Sequence, residues 1–393
     1  MDMHHVTDLL NIVDLIRSGK ARTRRDIGTA LSMRSTSVSE LVGTLTAGGL
    51  LTETIVSSSG RGRPAAALTF NAQRFGAILI SVVDLTLVAR TIDMDFHIRD
   101  EIVATPPEDV GNEQMAATIH DLVTTLMARF PAGVEPGVVV LSLAGLLDVA
   151  QGVWCVSSRW PNLCNLELEH AFPDLQAPVH MIRNLDAELL GLRLDRQATT
   201  DESNILLLHW GYGIGAAYAN GDTVVNRMTG RFCEIGHWSL GNSRGRACTC
   251  GNTDCLETVA ALWAISPALQ TTCPDLPLTE KALAAELRRV DLPEVPALEE
   301  AVTQMLLLTT NLCRLLFPER IILTGPFVQH PEIFRRFVEA IASAPLLKSL
   351  DRIRVSVSEF VPRDEINGAL HQPFEDLLLR HVTHLQHSTA VDA

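Results

Sequence analysis

No apolar run in this 393-residue chain approaches the roughly 20 residues that a bilayer-spanning helix needs. The N-terminus, MDMHHVTDLLNIVDLIRSGK, also lacks a basic leading region, an uninterrupted apolar stretch and a cleavage site, so it does not read as a secretory signal. Membrane and exported classes are therefore not expected. The expected compartment is the cytoplasm, where disulfides seldom persist. Extremes of composition are missing too. Hydrophobic residues make up 47% and charged residues 20%, an ordinary globular balance on a chain long enough for two or three domains.

Charge is present but unevenly spread. The net charge is −14, yet residues 1–75 carry nine Arg and Lys against six Asp and Glu, a net of +3. The remainder carries 23 against 40, a net of −17. A basic head on an acidic body confines any approach to nucleic acid to the head.

In the head, HVTDLLNIVDLIRSGK sets Val6, Leu9, Leu10, Val13 and Ile16 on one helical stripe and stops at Gly19. TRRDIGTALSM is a second, shorter helix, with Thr23 as cap and Asp26 as the capping-box acid. RSTSVSELVGTLTAGGL turns Val38, Leu41, Val42 and Leu45 inward, takes Ser35 or Thr36 as cap and ends at Gly48-Gly49. Three short helices with a tight second turn predict a helix-turn-helix. LLTETIVSSSGRGRPAAALTF then reads as strand, turn and strand, a wing tipped by Arg61 and Arg63. The expected DNA contacts are Arg34, Ser35, Thr36, Ser37, Ser39 and Glu40 in the major groove, with Arg61 and Arg63 on phosphates or a narrow minor groove. The plainer alternative is an interaction module with a solvated hairpin.

The body opens with three β segments that turn near Asp84-Leu85 and Asp95-Phe96, and SNILLLHWGYGIGAAYANGDTVVN repeats that plan. The duplication predicts a two-lobed α/β fold with a cleft between lobes. PGVVVLSLAG and ERIILTGPF read as buried strands ending at the cleft edge. EINGALHQPFEDLLLRHVTHL predicts a closing helix that Pro373 should kink or split.

Three of the eight cysteines crowd into RACTCGNTDCLETV. A Cys248–Cys250 disulfide would be strained. His237 lies eleven residues before Cys248, and one His with Cys248, Cys250 and Cys255 fits a closed, tetrahedral, structural zinc site. Cys155, Cys164, Cys233, Cys273 and Cys313 are scattered and read as core thiols. Glu257 follows Cys255 and Glu234 precedes His237, so a bound metal would draw two carboxylates to one point, where they could accept hydrogen bonds from a polyol. The alternative is that both are solvated surface charges.

CEIGHWSL with CTCGNTDCLE resembles the E-x-G-H and C-x-C-G-x-x-G-C-L-E signatures of the ROK family of bacterial repressors and sugar kinases, with Asp254 where the family's last glycine is common. SRGRP resembles the wing of the family's repressors, and HWGYGIGAAYANG its G-T-G-I-G phosphate loop, with Tyr212 for threonine. SLAGLLDVAQGVWCVSSRWPNL is similar to the segment that lines its sugar pocket. The resemblance covers nearly the whole chain. It implies an actin/hexokinase-like (ribonuclease H-like) ATPase fold preceded by a winged helix-turn-helix. The implied domains are 1–72, the head; 73–183, a first lobe to which about 365–393 returns; and 184–364, a second lobe with the zinc loop. It further implies sugar contacts from Asn162, Asn184, Glu234, His237 and Glu257.

The departures bear on function. Where family kinases carry N-D-A-N, with the Asp as general base, this chain reads Asn184-Leu185, and only a one-residue slip would offer Asp186. The first phosphate loop reads Asp84-Leu85-Thr86-Leu87, without the glycines that let backbone amides approach phosphate. The adenosine-side glycine pair reads Gly325-Pro326. The expectation is a transcriptional regulator, a repressor, with no catalytic residues, structural Zn2+ and no ATP. It would bind operator DNA as a homodimer or homotetramer and respond to a sugar or sugar derivative. The alternatives are a sugar kinase working through Asp186, or a regulator controlled by a protein partner.

Overall fold

The computed structural model describes residues 3–56, 65–168, 171–172, 175–196, 202–241, 246–292, 294–344, 346, 353–359 and 361–391. The head consists of α1 (Met3–Arg17), α2 (Arg24–Leu31), α3 (Ser35–Ala47) and the antiparallel pair β1 (Leu51–Val56) and β2 (Ala65–Phe70). Thr23 and Asp26 form the capping box of α2. The start of α3 differs from the reading of its sequence. Val38 N–H already bonds to Arg34 O, so Arg34 holds the cap position without a side-chain bond and Ser35 is the first helical residue. The 57–64 tip, with Arg61 and Arg63, lies outside the described residues.

Each lobe is built on a five-stranded sheet with one plan. The first contains β3 (Phe75–Val83), β4 (Thr86–Asp93), β5 (Ile98–Ala104), β6 (Glu135–Leu143) and β10 (Val179–Arg183), ordered β10-β6-β3-β4-β5. Helix α4 (Asn112–Met127) and a small sheet of β7 (Leu146–Asp148), β8 (Val153–Val156) and β9 (Cys164–Glu167) join it. The second contains β11 (Asn204–Trp210), β12 (Ile214–Asn220), β13 (Thr223–Val224), β14 (Arg320–Thr324) and β15 (Arg354–Val357), ordered β13-β12-β11-β14-β15. Helices α6 (Glu257–Ala260), α7 (Leu262–Thr272), α8 (Glu280–Leu287), α9 (Pro296–Leu316) and α10 (Pro331–Ser343) belong to it. In both sheets an antiparallel meander is extended by two parallel strands, which is the duplication the β segments predicted.

Helix α5 (Asn184–Arg196) joins the lobes, and α11 (Pro362–Val391) crosses it. Their backbones meet at two glycines. A Cβ on Gly368 would lie 1.8 Å from Ala187 O, and one on Gly191 1.8 Å from Asp364 O. Pro373 does not split α11, which runs through as one helix. Its neighbours Leu370 and Phe374 are fully buried, and packing on both sides of the proline outweighs the roughly 3 kcal/mol local cost. The same helix reaches the head. Leu9, Ile12, Val42 and Leu45 share one apolar core with Phe75 of β3 and Ile366, Phe374 and Val382 of α11. His381 Nε2 lies 2.9 Å from Gly48 O at the end of α3. The scattered cysteines are not uniformly core thiols: Cys313 is buried, Cys155, Cys233 and Cys273 are half-buried and Cys164 is exposed, because three of them sit on edges or turns rather than inside a sheet or helix face.

Two predictions follow from α11. Gly368→Ala must push two backbones apart and is expected to destabilise the chain by about 2 kcal/mol or more, read from the denaturant midpoint. An unchanged midpoint would contradict the crossing. Glu365, 1% exposed, receives the Ser142 hydroxyl at 2.6 Å, and burial pushes its carboxyl up to about 7 against the opposing pull of Ser142, Arg90 and Ser81. The unfolded chain loses this proton near the usual 4.5 while the folded chain keeps it, so stability falls as pH rises through that window. Glu365→Gln should therefore remove about 2 kcal/mol of the loss between pH 5 and pH 8. A parent and variant with equal pH slopes would contradict this.

Candidate ligand site and metal cluster

The metal cluster is assembled by two segments zipped side by side. A short 3-10 turn, Ile235–His237, presents His237, and Ser239 bridges to Cys255. Leu240 N–H donates to Asp254 O at 2.8 Å and Leu256 N–H to Trp238 O at 3.0 Å. Gly251, at φ +92°, reverses the chain between the thiols, and its N–H donates to Cys248 O at 2.9 Å. One atom each from His237, Cys248, Cys250 and Cys255 lies within 4.8 Å of the others. Cys248 Sγ is 3.3 Å from His237 Nδ1, and Cys250 Sγ 3.4 Å from Cys255 Sγ. Ligand atoms about 2.3 Å from a tetrahedral ion stand roughly 3.8 Å apart, so the cluster can hold one metal ion with little adjustment. Protein atoms fill all four positions.

His237 faces outward with its other nitrogen. Nε2 is 4.0 Å from Glu234 Oε2, within ion-pair range but longer than a hydrogen bond. Glu234 Oε1 is 3.4 Å from the Arg183 guanidinium, which also lies 3.5 Å from Asp186 Oδ1 and donates to Ala216 O. Glu257 opens α6 and is 3% exposed, so it is not a solvated surface charge. Its Oε1 accepts Ile214 N–H at 3.0 Å, and the buried carboxylate is also drawn to the Trp263 indole N–H. Asn184, half-buried, begins α5 next to Arg183. The structure places Glu234, His237 and Glu257 near one another, with Asn184 one residue after the Arg183 that faces Glu234. Asn162 is exposed and donates to Asp109 O at 2.9 Å; it has no hydrogen bond to those four.

The two candidates for a general base differ in surroundings. Leu185 is 6% exposed and packs with Leu189, Ile205 and Leu207 in an apolar cluster. Asp186 is 1% exposed, and burial raises its carboxyl to about 6 against the Arg183 charge.

On the opposite side of the cleft, Asp84 turns β3 into β4 at φ +50°. Its Oδ1 accepts the first N–H of α8, from Glu280, at 2.8 Å. Glu280 Oε1 accepts Tyr212 N–H at 2.6 Å and lies 3.3 Å from Arg159 Nη2. His209 Nε2 is 3.3 Å from Glu280 Oε2. Gly325, at φ +98°, leaves no room for a Cβ, which would lie 2.2 Å from Trp210 O. Pro326 after it is buried, and Phe327 packs on Trp210 with ring centroids 4.7 Å apart. Reading the sequence missed Arg159, His209 and Glu280: the first two lie inside segments quoted for other residues, and Glu280 lies in none. A histidine after the apolar run ILLL of NILLLHW was one available signal.

In the head, Arg34, Ser35, Thr36, Ser39 and Glu40 are exposed and Ser37 is half-buried. A groove of about 440 Å³ between α2 and α3 is lined by Arg24, Arg25, Met33, Ser35 and Ser39 among others. Arg24 pairs with Glu53 of β1.

Comparison with known proteins agrees with this architecture. The uncharacterized protein YphH of Escherichia coli (strain K12) is 26% identical over 152 residues, 37% of this chain and 38% of that protein. A glucokinase of Halalkalibacterium halodurans is 36% identical over 63 residues, 16% of this chain and 19% of that protein. The aligned parts thus span well under two thirds of either relative. Among solved structures, a ROK family transcriptional regulator homologous to the MLC protein of E. coli is 20% identical, with a TM-score of 0.69 over 96% of this chain and 100% of that one. A ROK family glucokinase from Streptomyces griseus, solved with glucose and AMPPNP, is 16% identical, with a TM-score of 0.58 over 76% of this chain and 98% of that one. These likenesses establish a shared actin/hexokinase-like fold. The model of the ROK family matches residues 84–369, from the Asp84 turn to the Gly368 crossing, and the chain belongs to the ROK family.

Proposed function

We propose that this ROK protein is a DNA-binding transcriptional repressor that senses a sugar or sugar derivative in its cleft and no longer transfers phosphate. One observation carries this reading. The loop amide of Tyr212, in the remnant of the phosphate loop, already holds a carboxylate of the chain, while Glu234 remains close to His237 and Arg183 on the other side of the cleft. The surroundings of the base candidates support it. Leu185 cannot accept a proton, and Asp186 is enclosed beside Arg183. The likeness to a regulator across nearly the whole chain, head included, points the same way.

In this reading the metal is structural zinc, held by His237, Cys248, Cys250 and Cys255. It would pin the hairpin whose acids, Glu234 and Glu257, meet the sugar hydroxyls, with Asn184 and Asn162 completing the contacts. The N-terminal end of α3, from Arg34 to Glu40, reads bases, and Arg61 and Arg63 hold the backbone. Two heads in a homodimer, or in a homotetramer of such pairs, match a palindromic operator. Ligand binding at the start of α5 biases the α5–α11 crossing, and α11 packs against the end of α3. A ligand moves such an equilibrium only by its differential affinity for the two states, about 1–3 kcal/mol for useful coupling.

The metal reading predicts about one zinc per chain by elemental analysis. Cys250→Ala should lose it and weaken sugar binding about tenfold or more, because the hairpin acids are no longer held. Retention of sugar affinity without metal would contradict it. The regulator reading predicts that a sugar found by thermal-shift screening alters operator affinity, with about 2.7 kcal/mol of stabilisation at 100 times its Kd. Arg61→Ala with Arg63→Ala should flatten the salt dependence of operator binding by up to about two phosphate contacts. ATP-dependent sugar phosphorylation at about 1 per second or faster would overturn the reading.

A further inference from the structure

Five residues from separate segments meet at the phosphate side of the cleft. Asp84 and Arg159 come from the first lobe; His209, Tyr212 and Glu280 come from the second. Burial alone would raise the Glu280 carboxyl. His209, Arg159 and Tyr212 N–H outweigh that and hold it ionised, with a pKa of about 2. Burial likewise opposes charge on His209, and Glu280 and Glu188 outweigh it. A loop amide, a guanidinium and an imidazole converging on one point make an oxyanion cradle. Here the oxyanion is a side chain. Gly211 makes its seat possible, since a Cβ there would lie 2.6 Å from Glu280 Oε1 and 2.6 Å from His209 Nε2.

The seat also joins the lobes twice. Arg159 Nη2 reaches Glu280 Oε1 at 3.3 Å, and Glu280 N–H reaches Asp84 Oδ1 at 2.8 Å. Arg159 Nε in turn donates to Asp84 O at 2.8 Å, which fixes donor and acceptor on the first lobe as one unit. Arg159 is 9% exposed on its side chain, so this pairing is shielded from water and salt more than a surface ion pair.

We propose that Glu280 is an internal ligand: its carboxylate occupies an oxyanion cradle formed by Tyr212 N–H, Arg159 and His209 and clasps the two lobes, so that the cleft is held together without a nucleotide phosphate. The inference rests on the reading that the nucleotide side has lost its chemistry. ATP turnover by the parent protein scores that reading, whereas the clasp is scored on Glu280 variants alone. An empty cradle would accept a small oxyanion, either a carboxylate or a phosphate.

The test uses the full chain and chemical rescue. Glu280→Gly should lower the melting temperature, and acetate or inorganic phosphate should restore at least half of the loss where chloride at equal ionic strength does not. The parent protein should show no such selective response to acetate. A variant as stable as the parent, or one whose loss neither anion restores, overturns the proposal. If both anions restore it, the cradle selects oxyanions generally; if acetate alone does, it selects carboxylates; either supports the clasp. Glu280→Gln keeps the size of the side chain and removes its charge, and decides the matter if the glycine variant does not fold. Amide hydrogen exchange over residues 84–87 and 211–215 should then quicken about tenfold, with residues 246–257 unchanged. Unchanged exchange at both loops, or equal acceleration everywhere, overturns the proposal.

Discussion

The contact on which the rest of the molecule depends is the crossing of α5 and α11 at bare glycine backbone. With a Cβ on Gly368 only 1.8 Å from Ala187 O, the two helices can touch there only as main chain on main chain. Contact at that range leaves little slack, since close-packed interiors pass displacement on rather than absorb it. Helix α5 starts at Asn184 and carries Asp186 in its first turn, beside the Arg183–Glu234 pair. Helix α11 continues past the crossing to Val382 and His381, which pack against the core and the α3 terminus of the head. The cleft and the head are thus two ends of one mechanical element. That element is also why Pro373 is tolerated, because the helix is held along its length by neighbours rather than by its own hydrogen bonds alone.

Buried carboxyls mark the two sides of the cleft differently. Asp186, Glu188 and Glu365 are each at most 3% exposed, and burial raises all three. Glu280 differs from these three, because it has a guanidinium, an imidazole and a loop N–H at once. Desolvation sets the default for a buried acid, and convergent donors reverse it. Asp186 lies beside Arg183, which also faces Glu234 and donates to Ala216 O, and the charges of Glu234 and Arg227 act on it as well.

Much of this was legible in the sequence where a local pattern carries the physics. The Thr23–Asp26 capping box, the inward stripe of α3, the repeated β meander and the Cys/His cluster are all short-range signals. Where the sequence misled, two local options were nearly equal or packing decided. The cap of α3 moved by one residue to Arg34 because the preceding turn fixes where the first helical hydrogen bond can form. The scattered cysteines had no periodicity to place them. Glu280 was invisible for another reason: it lies 196 residues from Asp84, and nothing in LTEKALAAEL sets it apart from Glu286. Only the fold brings a lone acid to a lone glycine loop.

The metal hairpin and the phosphate-loop remnant are not independent. Glu257 lies two residues after Cys255 and gives Oε1 to Ile214 N–H, while Glu280 takes Tyr212 N–H two residues earlier in the same loop. Two acids from different helices of the second lobe therefore hold nearby amides of one β11–β12 turn. Gly213 lies between them, with space for a Cβ limited by Ser158 Oγ of the first lobe at 2.7 Å and by Glu257 Oε1 at 3.0 Å. A loop that in a nucleotide-binding protein would offer its amides to phosphate is here held in place by the chain's own carboxylates. With Oε1 committed to the loop and the carboxylate also drawn to the Trp263 indole N–H, Glu257 has at most Oε2 left for a guest. Any guest that draws on Oε2 must then pull against a turn that is itself tied, through Glu280 and Arg159, to the other lobe. Under the proposed function, that linkage is the route by which a sugar in the cleft would act on lobe closure.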